Sequence, residues 1–236
     1  MAGRWETVTV PDAPDMRCYV ALPSDATPRP AVAVAQHAGG VDDFIRTMTE
    51  RFAEAGFVAI APDLYHREDV NSGDDAMRRM SRLRDANIVA DMDAAIGYVR
   101  TLPEVRAQSI GVTGFCMGGR VAYLMATRMP DLRAAVVFYG GNIMVPWGEG
   151  PAPFEGTAQI ACPVLGLFGA DDPNPSQADV SKLDAELSRH GKVHEFHSYP
   201  GAGHAFMNEG RPSFREEAAR DAWGRCIAWF ERHLAP

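Results

Sequence analysis

Cys116 stands in the string Gly114-Phe115-Cys116-Met117-Gly118-Gly119, between an apolar run with strand character and a run with helical character. Small residues two positions before and two after a thiol suit a sharp strand-to-helix turn. The central residue of such a turn is held in a strained backbone conformation that leaves no room for neighbouring side chains. Its side chain then projects outward, and the helix N-terminus behind it favours negative charge on sulfur. The chemistry on offer is nucleophilic. Cysteine is also a common buried residue, so the turn needs partners: a base within reach of the thiol and an acid to hold that base.

The chain has seven histidines. His204 is set apart by its context, Gly201-Ala202-Gly203-His204-Ala205-Phe206, in a loop late in the chain. His194 and His197 fall in a strand-like run three positions apart and so point to opposite faces, which suits neither a pair nor a metal. His66, His190 and His233 read as surface residues. For the acid, Gly169-Ala170-Asp171-Asp172-Pro173 offers two adjacent carboxylates. The four cysteines (Cys18, Cys116, Cys162 and Cys226) are scattered, without Cys-x-x-Cys spacing. No zinc site or disulfide framework is expected from them, and no cofactor.

The elements that must position these residues alternate along the chain. Arg4 to Val10 and Met16 to Leu22 flank Pro11-Asp12-Ala13-Pro14 as an antiparallel edge hairpin. Short apolar runs at 31–36, 132–139 and 163–168 read as buried strands, and 57–61, 109–113 and 193–199 as further strands. Helical spacing fills 42–55, 75–100 (as one helix or two), 118–128, 176–190 and 213–234. This alternation predicts one α/β domain over 1–236, a mostly parallel sheet with helices on both faces. Gly140 to Thr157 is the one long irregular stretch, either a plain surface loop or a flap over a ligand.

A nucleophile at a strand-to-helix turn within this order resembles an α/β-hydrolase, in which the acid follows the nucleophile and the histidine comes last. That order selects His204 as base. In such loops the acid stands three residues after the glycine and often before proline, which favours Asp172 and leaves Asp171 as a turn or capping residue. An oxyanion hole needs two backbone N–H donors. Met117, just after the nucleophile, and Ala38, in Gln36-His37-Ala38-Gly39-Gly40, are the candidates.

Over essentially its whole length the chain resembles the dienelactone hydrolase (carboxymethylenebutenolidase) family. The matching strings are Val34-Ala35-Gln36, Pro62-Asp63-Leu64-Tyr65, the Cys116 turn, Phe138-Tyr139-Gly140, the loop 169–172 and Ala202-Gly203-His204-Ala205-Phe206. The resemblance implies a Cys116-His204-Asp172 triad and hydrolysis of an ester or lactone through a thioester. Two departures bear on substrate. Family members acting on dienelactone carry Glu where this chain has His37, which either hydrogen-bonds the thiolate or a substrate oxygen, or only shapes the pocket. They carry Arg four residues after the histidine, where this chain has the uncharged Asn208. A second family arginine lies in the region of Arg78, Arg79, Arg82 and Arg84. A less charged ester or lactone is therefore expected to suit the chain better than dienelactone itself. The alternatives are a promiscuous esterase or phosphotriesterase on a neutral substrate and a non-catalytic ligand-binding relative. Trp147, Met144, Phe154, Phe206 and Met207 are candidates for the pocket wall.

Composition narrows the partners. A net charge of −8 over 236 residues disfavours nucleic acid and anionic membranes. No run is long and apolar enough to span a bilayer, and no early apolar segment reads as a signal peptide. The expectation is a cytoplasmic monomer or homodimer acting on a small molecule.

Overall fold

A computed structural model of the chain describes residues 3–25, 27–69 and 73–235. The edge hairpin forms from β1 (Arg4–Val8) and β2 (Met16–Ala21). Then come β3 (Arg29–Ala35), α1 (Asp43–Glu54), β4 (Val58–Pro62), α2 (Ala76–Ser81) and α3 (Asp85–Arg100). The second half runs through β5 (Val105–Phe115), α4 (Met117–Arg128), β6 (Ala134–Phe138), β7 (Val164–Gly169), α5 (Gln177–Arg189), β8 (His194–Tyr199) and α6 (Glu216–His233). The strands make one eight-stranded sheet in the order β1-β2-β4-β3-β5-β6-β7-β8. Pairing is parallel from β4 to β8 and antiparallel on both sides of β2.

The period of two along β3 shows why the sheet is covered twice. Ala31, Ala33 and Ala35 pack into the layer of α3, α4 and α5, whereas Val32 and Val34 pack into that of α1 and α6. Small residues on one side let the fully buried α4 lie close against the centre of the sheet.

The 75–100 segment resolves into two helices. The backbone N–H of Asp85 donates to Trp147 O at 2.7 Å instead of continuing a helix from α2. The irregular stretch after β6 also contains a short 3-10 helix, Pro153–Gln159. His66 is not a surface residue. Its side chain is only 3% exposed, and Nε2 lies 3.1 Å from Asp91 Oδ1. Among the described residues no helix is long and apolar enough to cross a membrane. All four cysteines are free.

Candidate active site

Strand order reverses beside β3, with β4 on one side and β5 on the other. The connections leave the sheet on opposite faces, so a crevice opens at the carboxyl ends of β3 and β5, where ligands bind in open α/β sheets. The loop 36–40 follows β3, and Cys116 follows β5.

Cys116 has φ 59° and ψ −119°, a conformation that costs a non-glycine residue about 1–3 kcal/mol. The surroundings enforce it. A Cβ on Gly114 would lie 2.1 Å from Gly118 O, and one on Gly118 would lie 2.1 Å from Ala35 O. Both obstacles are backbone and cannot swing aside. The Cys116 N–H donates to Phe138 O at 3.1 Å, which ties the turn to β6.

His204 reaches the turn from the loop after β8. Its Nδ1 donates to Asp172 Oδ2 at 2.8 Å, and the ring shares the cavity with Cys116, whose ionisation it favours. Asp172 is almost fully buried, whereas Asp171 is exposed. The two loops meet closely: a Cβ on Gly169 would lie 2.4 Å from Ala202 O. Tyr139 packs edge-on to the His204 ring at 5.3 Å between centroids.

Electrostatics separate this thiol from the others. Burial pushes Cys18 and Cys162 up to about 12. Burial also opposes ionisation of Cys116, but His204 and the backbone N–H groups of Met117 and Ala38 outweigh it and hold the thiol below its ordinary value. Burial alone would lower His204, yet Asp172 and Cys116 raise it to about 10. The two groups thus favour each other's charged form: the ring draws the thiol down and the sulfur draws the ring up. Met117 and Ala38, the expected oxyanion donors, both face the sulfur. Tyr65 Oη braces their loop by donating to Ala38 O at 2.9 Å.

His37 is buried and turned to the N-cap of α1, with Nε2 2.8 Å from Asp42 Oδ2 but not aligned as a hydrogen bond. Burial raises the Asp42 carboxyl, and His37 with the backbone N–H groups of Ile45 and Phe44 pulls it below its usual value. The cavity beside Cys116 measures about 490 Å³ and is bordered by His37 and Trp147. Ala76, Met77 and Met80 of α2 add an apolar wall. Asn142, Asn174 and Arg211 also border it.

Other candidates fall outside this lining. Phe206 is fully buried against Tyr139 and Tyr199, and Met207 is also buried. Asn208 closes its own turn through Gly210 N–H. Arg78 pairs with Asp74, Arg79 lies over the Tyr65 ring, and Arg82 pairs with Glu68 and Asp74. Arg211 escaped sequence reasoning because it lies seven residues beyond His204 in an exposed loop; its guanidinium makes no ion pair with another described residue. Among the described residues no cluster of His, Cys, Asp or Glu could hold a metal ion.

A parallel sheet with an antiparallel edge hairpin, and a turn-borne side chain facing a histidine from the last strand's loop, define an α/β-hydrolase. Comparison with known proteins makes the class specific. The chain belongs to the dienelactone hydrolase family, which it matches over residues 16–234. It is 34% identical over 225 residues to a "putative carboxymethylenebutenolidase" of Methylorubrum extorquens, covering 91% of this chain and 76% of that protein. A protein of the same description from Synechocystis is 35% identical over 226 residues, covering 92% and 91% of the two chains. The crystal structure of a "putative dienelactone hydrolase" from Klebsiella pneumoniae superposes with a TM-score of 0.88 at 34% identity, covering 98% of this chain and all of that one. The chain is thus a hydrolase of the dienelactone hydrolase type.

Proposed function

We propose that the chain hydrolyses a small ester or lactone through an acyl-cysteine at Cys116. The observation that carries this reading is a thiol held below its ordinary value beside a histidine that Asp172 holds in turn and beside two backbone N–H donors. His204 takes the thiol proton, which forms a thiolate–imidazolium pair, and sulfur attacks the acyl carbon. The carbonyl oxygen takes the electron pair and accepts the Met117 and Ala38 N–H bonds. The tetrahedral species collapses, and imidazolium gives its proton to the leaving alkoxide. Neutral His204 then removes a proton from water, which attacks the thioester. Collapse expels thiolate and the carboxylic acid, and the ion pair is restored. Asp172 fixes the histidine tautomer throughout.

Intact-protein mass spectrometry during turnover of a slow ester tests this. The expected result is a single acyl adduct on Cys116 that disappears as product forms. An adduct on another residue, or steady turnover by enzyme with Cys116 alkylated, overturns the mechanism.

Arg211 favours a second reading of the substrate. The butenolide in the relatives' name carries a carboxymethylene group, and an unpaired guanidinium on the cavity rim would attract a carboxylate. Arg211→Gln should then lower kcat/KM for a carboxylate-bearing lactone by about three- to tenfold, the effect being limited by solvent at an exposed site. A neutral aryl ester should keep its rate. Equal effects on both substrates would remove Arg211 from recognition and leave the neutral ester preferred.

A further inference from the structure

Arg120 lies on the first turn of α4, three residues beyond Met117, and its side chain is wholly buried. A guanidinium removed from water must have its donors met, because an unmatched buried charge is strongly destabilising. Here the acceptors come from two separate parts of the chain. Nη1 and Nη2 donate to Asp85 Oδ1 and Oδ2 at 2.5 and 3.0 Å. Nη2 also donates to Val145 O at 2.6 Å, and Nε donates to Asn142 O at 3.0 Å. The guanidinium stacks over the Trp147 ring at 4.0 Å. Asp85 grips the same tryptophan backbone twice, accepting from Trp147 N at 3.0 Å and donating its own N–H to Trp147 O at 2.7 Å.

The network continues to the acid. Asn142 N donates to Asn174 Oδ1 at 3.2 Å, and Asn174 Nδ2 donates to Asn142 Oδ1 at 3.3 Å. Asn174 N donates to Asp172 Oδ1 at 2.8 Å, leaving Oδ2 for His204. Asn142, Trp147 and Asn174 all border the cavity. The segment that carries Asn142 and Trp147 has no regular backbone pairing of its own, so its shape near Cys116 follows from these side-chain bonds.

We propose that Arg120 is a positioning residue with two outputs: it fixes Trp147 as one wall of the cavity, and through Asn142 and Asn174 it orients the Asp172 loop behind His204. The inference rests on the reading of Cys116 as nucleophile and His204 as its base. It makes the helix that carries the nucleophile's N–H donor also hold the wall and the acid loop in one frame.

Arg120→Lys keeps the charge but loses the two-pronged fork and the Nε bond. A paired Arg120→Gln, Asp85→Asn variant leaves no buried charge unmatched and serves where the lysine enzyme does not fold. Each variant is assayed as folded protein, with active sites counted by Cys116 alkylation. The expected result is a KM for a long-chain aryl ester raised about tenfold while that for the acetate stays within about twofold. The pH midpoint of iodoacetamide alkylation of Cys116 should also rise, by about half a unit. Asn174→Ala should shift that midpoint, and adding Arg120→Lys to it should shift the midpoint no further. A folded variant at position 120 with the wild-type KM ratio and midpoint, whatever its melting temperature, overturns the proposal. The alkylation reading stands even where ester turnover survives Cys116→Ala, so a failure of the nucleophile assignment is seen separately.

Discussion

Replacing Cys116 by alanine is expected to reduce hydrolysis of a small aryl ester by at least about a thousandfold, the scale on which removing a nucleophile acts in enzymes of this logic. The protein should stay folded. Alanine is no bulkier than cysteine, and the glycine spacing around the turn is untouched. A second readout follows from charge. His204 is raised to about 10 by Asp172 and by the sulfur together. With sulfur gone, one of the two anions that hold the proton is lost, so the imidazolium should titrate lower, toward its ordinary range. NMR titration of the ring measures this directly. An alanine variant with wild-type turnover, or with an unmoved His204 titration, would end the assignment of Cys116 as nucleophile paired to that ring.

Asp172→Asn should be nearly as damaging, by about a thousand- to ten-thousandfold in kcat, because a neutral amide fixes the tautomer poorly and cannot stabilise imidazolium. The direction with pH can be worked out. Asp172 raises His204; removing its charge lowers His204 and so weakens the cation that favours thiolate. Cys116 then needs a higher pH to ionise. In the wild type, alkylation should switch on as pH rises through a value below the ordinary thiol range and change again near 10, where the imidazolium loses its proton. In the asparagine variant the first step should move up and the second down. Alkylation profiles across pH 4–11 would expose an unmoved first step, and with it an Asp172 that does not act through His204.

The parts that could be read from the sequence are those fixed by sterics or chain order. Gly114 and Gly118 mark the turn because only hydrogen fits against neighbouring backbone. His204 and Asp172 follow because sheet order brings successive loops to one edge. What stayed hidden depends on partners far along the chain. Arg120 looks like one more helical arginine until Asp85, 35 residues earlier, folds against it. His66 reads as surface until Asp91 covers it. His37 finds Asp42 only because the chain turns back at Gly40. Phe206, beside the histidine in sequence, points into the core because a loop residue has no period from which to read its direction. For the same reason Arg211, and not Asn208, is found on the cavity.

The two sides of the cavity differ in how freely they can vary. α2 buries none of its residues, yet contributes Ala76, Met77 and Met80 to one side. Substitutions on such an exposed helix generally shift stability by no more than about half a kcal/mol. The Trp147 wall is instead anchored through a buried ion pair, where most replacements would be costly. Substrate range can therefore be varied through the exposed α2 with less risk to the fold than through the Trp147 wall. A directed-evolution library confined to Ala76, Met77 and Met80 would sample new acyl groups with little draw on the stability reserve of the scaffold.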